Sequence, residues 1–136
     1  MAYFGDHMPD EYKKTFDLVA QSRDLAIDYI KNELKNDRLP LGKMADRAAR
    51  DNFDKNNVAN KFLHSTGHSI GTLSPHGRYG HLRKTNHNPL KENLGYTIEP
   101  GLYFDKRFGV RSELDFYFSN KEMVITTPIQ TEITII

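Results

Sequence analysis

The sequence contains no cysteine among its 136 residues. Without cysteine there is no disulfide, no thiolate nucleophile and no thiolate metal ligand, so any bound metal has to rest on histidine and carboxylate side chains. Long apolar runs are also missing, since none approaches the roughly 20 residues of a membrane-spanning helix. No signal peptide is recognisable at the start. These absences favour a cytoplasmic protein that does not cross a membrane.

An excess of charge of either sign is missing as well. The chain has 19 Lys and Arg against 18 Asp and Glu, which gives a formal net charge of +1. Such a chain offers no electrostatic reason to expect nucleic acid or an anionic membrane as a partner. Its composition, 38% apolar and 27% charged, is typical of a globular protein. The length fits one domain, residues 1–136, with a moderate core.

Apolar residues recur at helical spacing in the first third of the chain. One stripe covers Tyr12–Leu34 and follows Pro9 and two acidic residues, which is typical of the first turn of a helix. Leu39–Gly42 breaks this pattern, and a second helix is predicted over roughly Lys43–Asn52. Val58–Leu63 is predicted to form a short helical turn. We expect the two main helices to pack on one face of a sheet.

The last third of the chain has the pattern of β-strands. Apolar residues alternate strictly from Gly109 to Phe118, which places Arg111 and Glu113 on one face of the strand. A further short strand is expected within residues 1–6. The four strands predicted for a mostly antiparallel sheet are Tyr96–Phe104, Gly109–Phe118, Met123–Thr127 and Ile129–Ile136.

Three ionisable residues lie where the local pattern favours an apolar or neutral side chain: His68, Glu99 and Glu113. Carboxylates at such places are costly unless they are paired, hydrogen-bonded or bound to a metal. The alternatives are a solvated strand face with a modest Arg111–Glu113 ion pair, and ordinary loop or core histidines at His64 and His68. No Glu follows His64, so the HExxH pattern of zinc proteases is absent.

A stretch rich in Gly, Pro, His and Asn covers residues 71–93 and carries His76, His81 and His87. Its periodicity is weak, so a long loop is predicted, and long loops within compact domains are often functional. For His81 and His87 we expect ordinary positions in a solvated connection.

Taken together, the segments GHSIG, TIEPGLYF and GVRSE resemble the C-terminal half of the pita-bread metallopeptidases. That family includes methionine aminopeptidases, Xaa-Pro aminopeptidases and prolidases, and TIEPGLY with the Arg of GVRSE resembles its proline-specific branch. The resemblance covers nearly the whole chain, including the ADRAARD segment and the closing VITTP. It implies an α+β fold in which two main helices pack on a curved, mostly antiparallel sheet.

The resemblance also implies a metal site. His68 matches the family's ligand histidine, Glu99 its third carboxylate ligand, and Glu113 the last carboxylate, which bridges two metals. Imidazole and carboxylate ligands suit manganese, cobalt or zinc. Two divalent ions about 3.5–4 Å apart can activate a shared water and polarise the scissile carbonyl.

Catalytic roles follow from the same resemblance. His64 matches a histidine that lines the substrate pocket, and His76 resembles one that contacts substrate and helps to stabilise the reaction. Arg111 matches an arginine that pairs with an acidic ligand. Glu99 is the candidate to take a proton from water and deliver it to the leaving amine.

Two aspartate ligands that the family places before its first long helix have no counterpart in this sequence. The resemblance therefore implies a single truncated pita-bread domain, residues 1–136, that is nearly inert alone and holds one ion or none. Its expected partners are a proline-containing peptide and either the missing N-terminal half or a second copy in a homodimer. The alternative is a non-catalytic pita-bread-like module that binds a peptide or a partner protein.

Overall fold

The computed structural model describes residues 1–136 and has the expected α+β architecture. No helix in it combines the length and the hydropathy that a membrane crossing requires. The elements in chain order are β1 (Ala2–Tyr3), α1 (Asp10–Lys35), α2 (Gly42–Lys55), a 3-10 turn (Ala59–Lys61), β2 (Tyr96–Ile98), β3 (Gly101–Phe104), β4 (Phe108–Arg111), β5 (Leu114–Ser119), β6 (Glu122–Ile125) and β7 (Thr134–Ile135).

Both predicted helices are confirmed, and their ends follow from local chemistry. Helix α1 has two acidic residues in its first turn and Lys35 in its last, which suits the helix dipole. Helix α2 continues to Lys55, three residues beyond the predicted end. The chain then leaves through Asn57, whose φ of 58° is left-handed and stops the helix. The predicted third helical turn is a single 3-10 turn.

Two groups of buried apolar side chains form the core around helix α1. The larger group joins its second half to the sheet with strand order β2-β5-β6, and the smaller joins its first half to the β3-β4 hairpin. Each fully buried Leu, Ile or Phe among them contributes about 1.5–3 kcal/mol. The larger group consists of Ala26, Ile27, Ile30, Leu34, Ala45, Leu82, Leu90, Tyr96, Ile98, Leu114, Phe116 and Phe118. The smaller consists of Phe16, Val19, Phe53, Phe62, Leu102 and Val110.

Two short ladders make up one long antiparallel pairing. Ile98 lies opposite Leu114, and Gly101 lies opposite Arg111. The register is the same on both sides of the break, so each of the two long predicted strands is interrupted at the same level. The predicted alternation is confirmed, because Val110, Leu114 and their even-numbered neighbours are buried while the odd-numbered residues face outward.

The prediction of a last sheet strand over Ile129–Ile136 is wrong. Only Thr134–Ile135 forms a strand, and it pairs in parallel with β1 instead of joining the main sheet. Pro128 has no N–H to donate to a ladder. The carbonyl of Gln130 accepts a hydrogen bond from buried Arg23 of helix α1 at 2.8 Å, so this part of the segment is bound to a helix.

Candidate metal and substrate site

The segment before the long loop runs antiparallel to β2 and carries His68 into the site. The N–H of Glu99 donates to the Thr66 carbonyl at 2.7 Å, and the N–H of Thr97 donates to the His68 carbonyl at 2.8 Å. The two backbones approach so closely that a Cβ on Gly67 would lie 2.0 Å from the Thr97 oxygen. Glycine is therefore required at that position.

Glu99 and Glu113 occupy the break between the two ladders. Because Ile98 pairs with Leu114 and Gly101 with Arg111, the common register places Glu99 opposite Glu113. Like charges directly opposite each other on neighbouring strands are destabilising. The placement therefore calls for a cation or a proton between the two carboxyl groups.

The ionisation of Glu113 reflects this conflict. Its surroundings remove enough water to raise the pKa of its carboxyl, and the nearby charge of Glu99 raises that pKa further. Arg111 opposes the shift only in part. The positive charge near Glu113 is thus too small to offset the effects of burial and of Glu99 on its pKa.

His68 faces Glu99 with a ring nitrogen that suits a metal. Its Nδ1 lies 2.9 Å from the Ser69 carbonyl oxygen and donates to it, so in the neutral ring Nε2 carries a lone pair. Nε2 lies 3.1 Å from Oε1 of Glu99, and two acceptors at that distance need a proton or a cation between them. A carbonyl that fixes the tautomer of a ligand histidine is a common feature of metal sites.

Thr97 connects the backbone of His68 to the side chain of Glu99. Its buried hydroxyl accepts the N–H of His68 at 3.0 Å and donates to Oε1 of Glu99 at 3.1 Å. The His68 backbone and the Glu99 carboxylate are therefore held by one side chain.

The donor set of His68, Glu99 and Glu113 fits a divalent cation in chemistry. One imidazole and two carboxylates suit manganese, cobalt or zinc. The side chains reach one cavity from adjacent strands, but no group of three or more His, Asp or Glu side chains has the spacing of a formed metal site. The expected approach within reach of one ion is thus met by His68 and Glu99 only, and the ligand assignment stays a prediction.

Arg111, Tyr103 and His64 form a hydrogen-bonded chain that begins at Glu99. Arg111 donates from Nη1 to Oε2 of Glu99 at 3.1 Å and from Nε to the Tyr103 hydroxyl at 3.0 Å. That hydroxyl lies 2.8 Å from Nε2 of His64. The Nδ1 of His64 donates to the Ser65 carbonyl at 2.8 Å, so Tyr103 donates to the other nitrogen.

The imidazole of His64 is kept neutral by its position. Burial lowers its pKa below the ordinary value of 6.5, and the charge of Arg111 lowers it further, against the opposing effect of the Ser65 carbonyl. A neutral ring is the form that accepts the Tyr103 proton. His64 thus faces the cavity as part of a network that also holds Glu99.

All six residues assigned from the sequence line one cavity of about 640 Å³. His76 comes from the long loop, and its ring centroid lies 4.1 Å from that of His68. The predicted metal ligands and the predicted substrate contacts therefore share one space, which opens to solvent beside the loop. The six are His64, His68, His76, Glu99, Arg111 and Glu113.

His81 departs from the expectation of an ordinary loop position. It lines the same cavity, and burial lowers the pKa of its imidazole, with smaller contributions from Arg83, His68 and His76. His87 lies outside the cavity, where its Nδ1 is 3.1 Å from Nζ of Lys43. The sequence carries no periodicity in this loop that would separate one histidine from the other.

Sequence reasoning missed Tyr103 and Arg83, which also lie at the site. The hydroxyl of Tyr103 joins two predicted site residues, and Arg83 lines the cavity. A signal for Tyr103 was present, because its ring lies against Gly101 and Gly109, where an added Cβ would approach it to 2.8 Å. Glycines at both positions on the paired strands make room for that ring.

Comparison with known proteins identifies the family to which the chain belongs. The model of metallopeptidase family M24 matches residues 1–120. An uncharacterized peptidase of Methanocaldococcus jannaschii is 33% identical over 114 residues, 82% of this chain and 30% of that protein. An uncharacterized peptidase of Staphylococcus aureus is 32% identical over 117 residues, 86% of this chain and 31% of that protein.

Solved structures agree with the sequence matches. The X-Pro aminopeptidase of Thermotoga maritima superposes with a TM-score of 0.83 at 28% identity, covering 99% of this chain and 36% of its own. The recombinant prolidase of Thermococcus sibiricus gives 0.86 at 26% identity, with 99% and 34% covered. The Xaa-Pro dipeptidase of Bacillus anthracis gives 0.85 at 27% identity, with 99% and 36% covered. The chain spans about a third of the length of these proteins.

Proposed function

Because the chain belongs to metallopeptidase family M24, we propose that its 136 residues supply part of the dinuclear-metal site of a peptidase that cleaves bonds next to proline. His68, Glu99 and Glu113 are the proposed ligands of divalent ions such as manganese, cobalt or zinc. One observation carries the proposal: these three side chains reach one cavity from adjacent strands, with two carboxylates opposed across a break in the ladder.

Each proposed residue has a task that its contacts support. Two divalent ions, when bound, supply an activated water and polarise the scissile carbonyl. Glu99 takes the proton of the attacking water and passes it to the leaving amine. Arg111 holds Glu99 through Oε2, which leaves Oε1 turned to His68. His64 and His76 line the same cavity and are the proposed substrate contacts.

The isolated chain is proposed to be nearly inert. The resemblance attributes four carboxylate ligands to the complete site, and this sequence matches two of them. Three protein ligands plus water make a viable site for one ion, whereas water shared between two ions needs both. A cytoplasmic location is proposed alongside this function and rests on the sequence alone.

A chimaera tests the proposal. The chain replaces the matching third of the Thermotoga maritima X-Pro aminopeptidase, with which it aligns over 99% of its length. We expect the chimaera, with manganese, to hydrolyse an Xaa-Pro peptide. Its Glu113→Ala variant should lose at least about 100-fold of that rate, because losing a ligand costs no less than losing a residue that supports one. The matched control is Glu122→Ala, an exposed glutamate in β6.

Two results of this experiment would contradict the proposal. One is a Glu113→Ala chimaera as active as its parent while folded by circular dichroism. The other is turnover by the isolated chain far above its own Glu113→Ala variant, because that would show that the two matched carboxylates suffice.

A second candidate function is a non-catalytic module that binds a peptide or a partner protein. The observation that favours it is that the three proposed ligands do not form a group at metal-binding distance. A chimaera that folds, binds an Xaa-Pro peptide and does not cleave it would support this function over the first.

A further inference from the structure

The carboxylate of Asp46 is completely buried although it lies outside the cavity. It belongs to helix α2, and its Oδ1 accepts hydrogen bonds from both the N–H and the hydroxyl of Thr66 at 2.9 Å. A buried carboxylate is tolerated only when it is paired and hydrogen-bonded. Asp46 therefore holds Thr66, the residue two positions before His68, through its Oδ1.

Arg50 completes this arrangement one turn along the same helix. It donates from Nε to Oδ2 of Asp46 at 2.7 Å and from Nη2 to the His64 carbonyl at 2.6 Å. Its guanidinium also lies over the ring of Phe62, 4.2 Å from the centroid. One side chain thus connects helix α2 to two further points on the segment that precedes His68.

The bonds continue from this pair into the proposed ligands. The Thr66 carbonyl accepts the N–H of Glu99 at 2.7 Å, so Thr66 is bound to Asp46 on one side and to a proposed ligand on the other. His68 follows Thr66 after the tightly packed Gly67. The backbone between His64 and His68 is consequently fixed from helix α2 on one flank and from β2 on the other.

We propose that Asp46 and Arg50 form a positioning clamp that sets the placement of His64, His68 and Glu99 and thereby the affinity of the site for a divalent cation. The clamp rests on the proposed function for its effect on the metal, while its effect on the backbone stands independently. Neither residue lines the cavity, so both act through the segment that they hold.

The same helix offers a matched control. Arg47 and Asp51 form an ion pair with the same four-residue spacing, and their side chains are 68% and 49% exposed. Exposed pairs of this kind contribute little. The Arg47→Gln variant changes the charge as Arg50→Gln does and leaves the clamp intact.

The test measures amide hydrogen exchange by NMR and manganese binding by calorimetry. In Arg50→Gln we expect the amides of Thr66 and Glu99 to exchange at least about tenfold faster, with the core amides of Val19 and Ile30 in helix α1 unchanged. Manganese affinity is expected to fall about tenfold. Arg50→Lys, which keeps the charge without the planar fork, should give an intermediate loss, and Arg47→Gln should give none.

Each other outcome contradicts the clamp. Exchange at Thr66 and Glu99 that is unchanged, or that rises in step with helix α1, would show general stabilisation only. Faster local exchange with unchanged manganese affinity would show a structural role without consequence for the site. If the unmodified chain binds no manganese, the effect of the clamp on cation affinity and the ligand assignment in the isolated chain are both contradicted, and the exchange rates still decide whether the clamp positions the segment.

Discussion

At the scale of single residues, the site depends on how the buried carboxylate of Glu99 is hydrogen-bonded. It accepts bonds from Thr97 and Arg111 and faces the imidazole of His68. The sequence predicted an unusual carboxylate here because Glu99 lies between Ile98 and Pro100, where an apolar or neutral side chain is expected. The partners on other strands could not be predicted, because they depend on register and not on the local pattern.

Tyr103→Phe tests the hydrogen-bonded chain from Glu99 to His64. The change removes the hydroxyl between Arg111 and His64 and leaves two polar groups without a partner. We expect the free energy of unfolding in urea to fall by about 1–2 kcal/mol.

The control for this prediction is Tyr117→Phe, because the Tyr117 hydroxyl lies on the exposed face of β5. That variant should stay within about 0.5 kcal/mol of the unmodified chain. Equal losses in the two variants would show that the hydroxyl of Tyr103 is not special.

The pH dependence of stability tests the neutral state of His64. Burial lowers its pKa in the folded chain below 6.5, so the unfolded chain binds the proton more readily. Its contribution to stability is complete above the unfolded pKa and is lost as the pH falls through the folded pKa. For one group the slope of this loss is at most about 1.4 kcal/mol per pH unit.

His64→Gln should therefore lose less stability than the unmodified chain between pH 7.5 and pH 5, measured by urea unfolding at each pH. The slopes of the two proteins can differ by at most about 1.4 kcal/mol per pH unit. His87→Gln, at an exposed histidine outside the cavity, serves as the control. A steeper loss in His64→Gln than in the unmodified chain would reverse the sign and reject the account.

At the scale of elements, the strand patterns predicted which face of a strand is buried better than they predicted which strands pair. Alternation from Gly109 to Phe118 correctly separated buried from outward residues. It could not show that the pairing breaks at Glu113, because a break does not disturb the period of two. For Ile129–Ile136 the alternating isoleucines suggested a sheet strand, whereas the proline before them and the bond from Arg23 to Gln130 leave only two residues in a strand.

The β3-β4 hairpin contains a strained loop residue that offers a test. Lys106 has a φ of 54°, a left-handed conformation that costs a residue with a Cβ about 1–2 kcal/mol. Lys106→Gly should therefore raise the free energy of unfolding by about 0.5–1 kcal/mol. The same substitution at Lys14, on the exposed face of helix α1, should lower it by about 1 kcal/mol. Destabilisation by Lys106→Gly would show that the loop is not strained.

At the scale of the whole molecule, the fold class and the shared cavity could be predicted, and the supports of the cavity could not. Helical stripes and strand alternation are local signals, and the segments around His68, Glu99 and Glu113 carried the family resemblance. The bonds that Thr66 donates to Asp46 join residues 20 positions apart in sequence. Such contacts arise only once helix α2 has packed, so no local pattern predicts them.

Self-association as a homodimer is proposed from the surface beside the chain ends. Strands β1 and β7 form a sheet of only two strands, and Phe4, Ile135 and Ile136 beside them are 77%, 56% and 64% exposed. Open strand edges with apolar side chains favour pairing with another chain, and two copies most often pair about a two-fold axis.

Sedimentation equilibrium is expected to give a dimer mass, and Phe4→Ser should weaken dimerisation at least about tenfold, as loss of a large buried side chain does. The control is Leu73→Ser, at a fully exposed residue of the long loop. A monomer at all concentrations, or equal effects of the two substitutions, would contradict the proposed interface.

The central claim is that His68, Glu99 and Glu113 together hold a divalent cation, and calorimetric titration with manganese tests it most directly. We predict binding of one ion to the unmodified chain, and affinities at least about tenfold lower in Glu113→Gln and in His68→Gln. Glu122→Gln, at an exposed glutamate of β6, should bind as the unmodified chain does. No binding at all, or equal affinities in all four proteins, would contradict the claim.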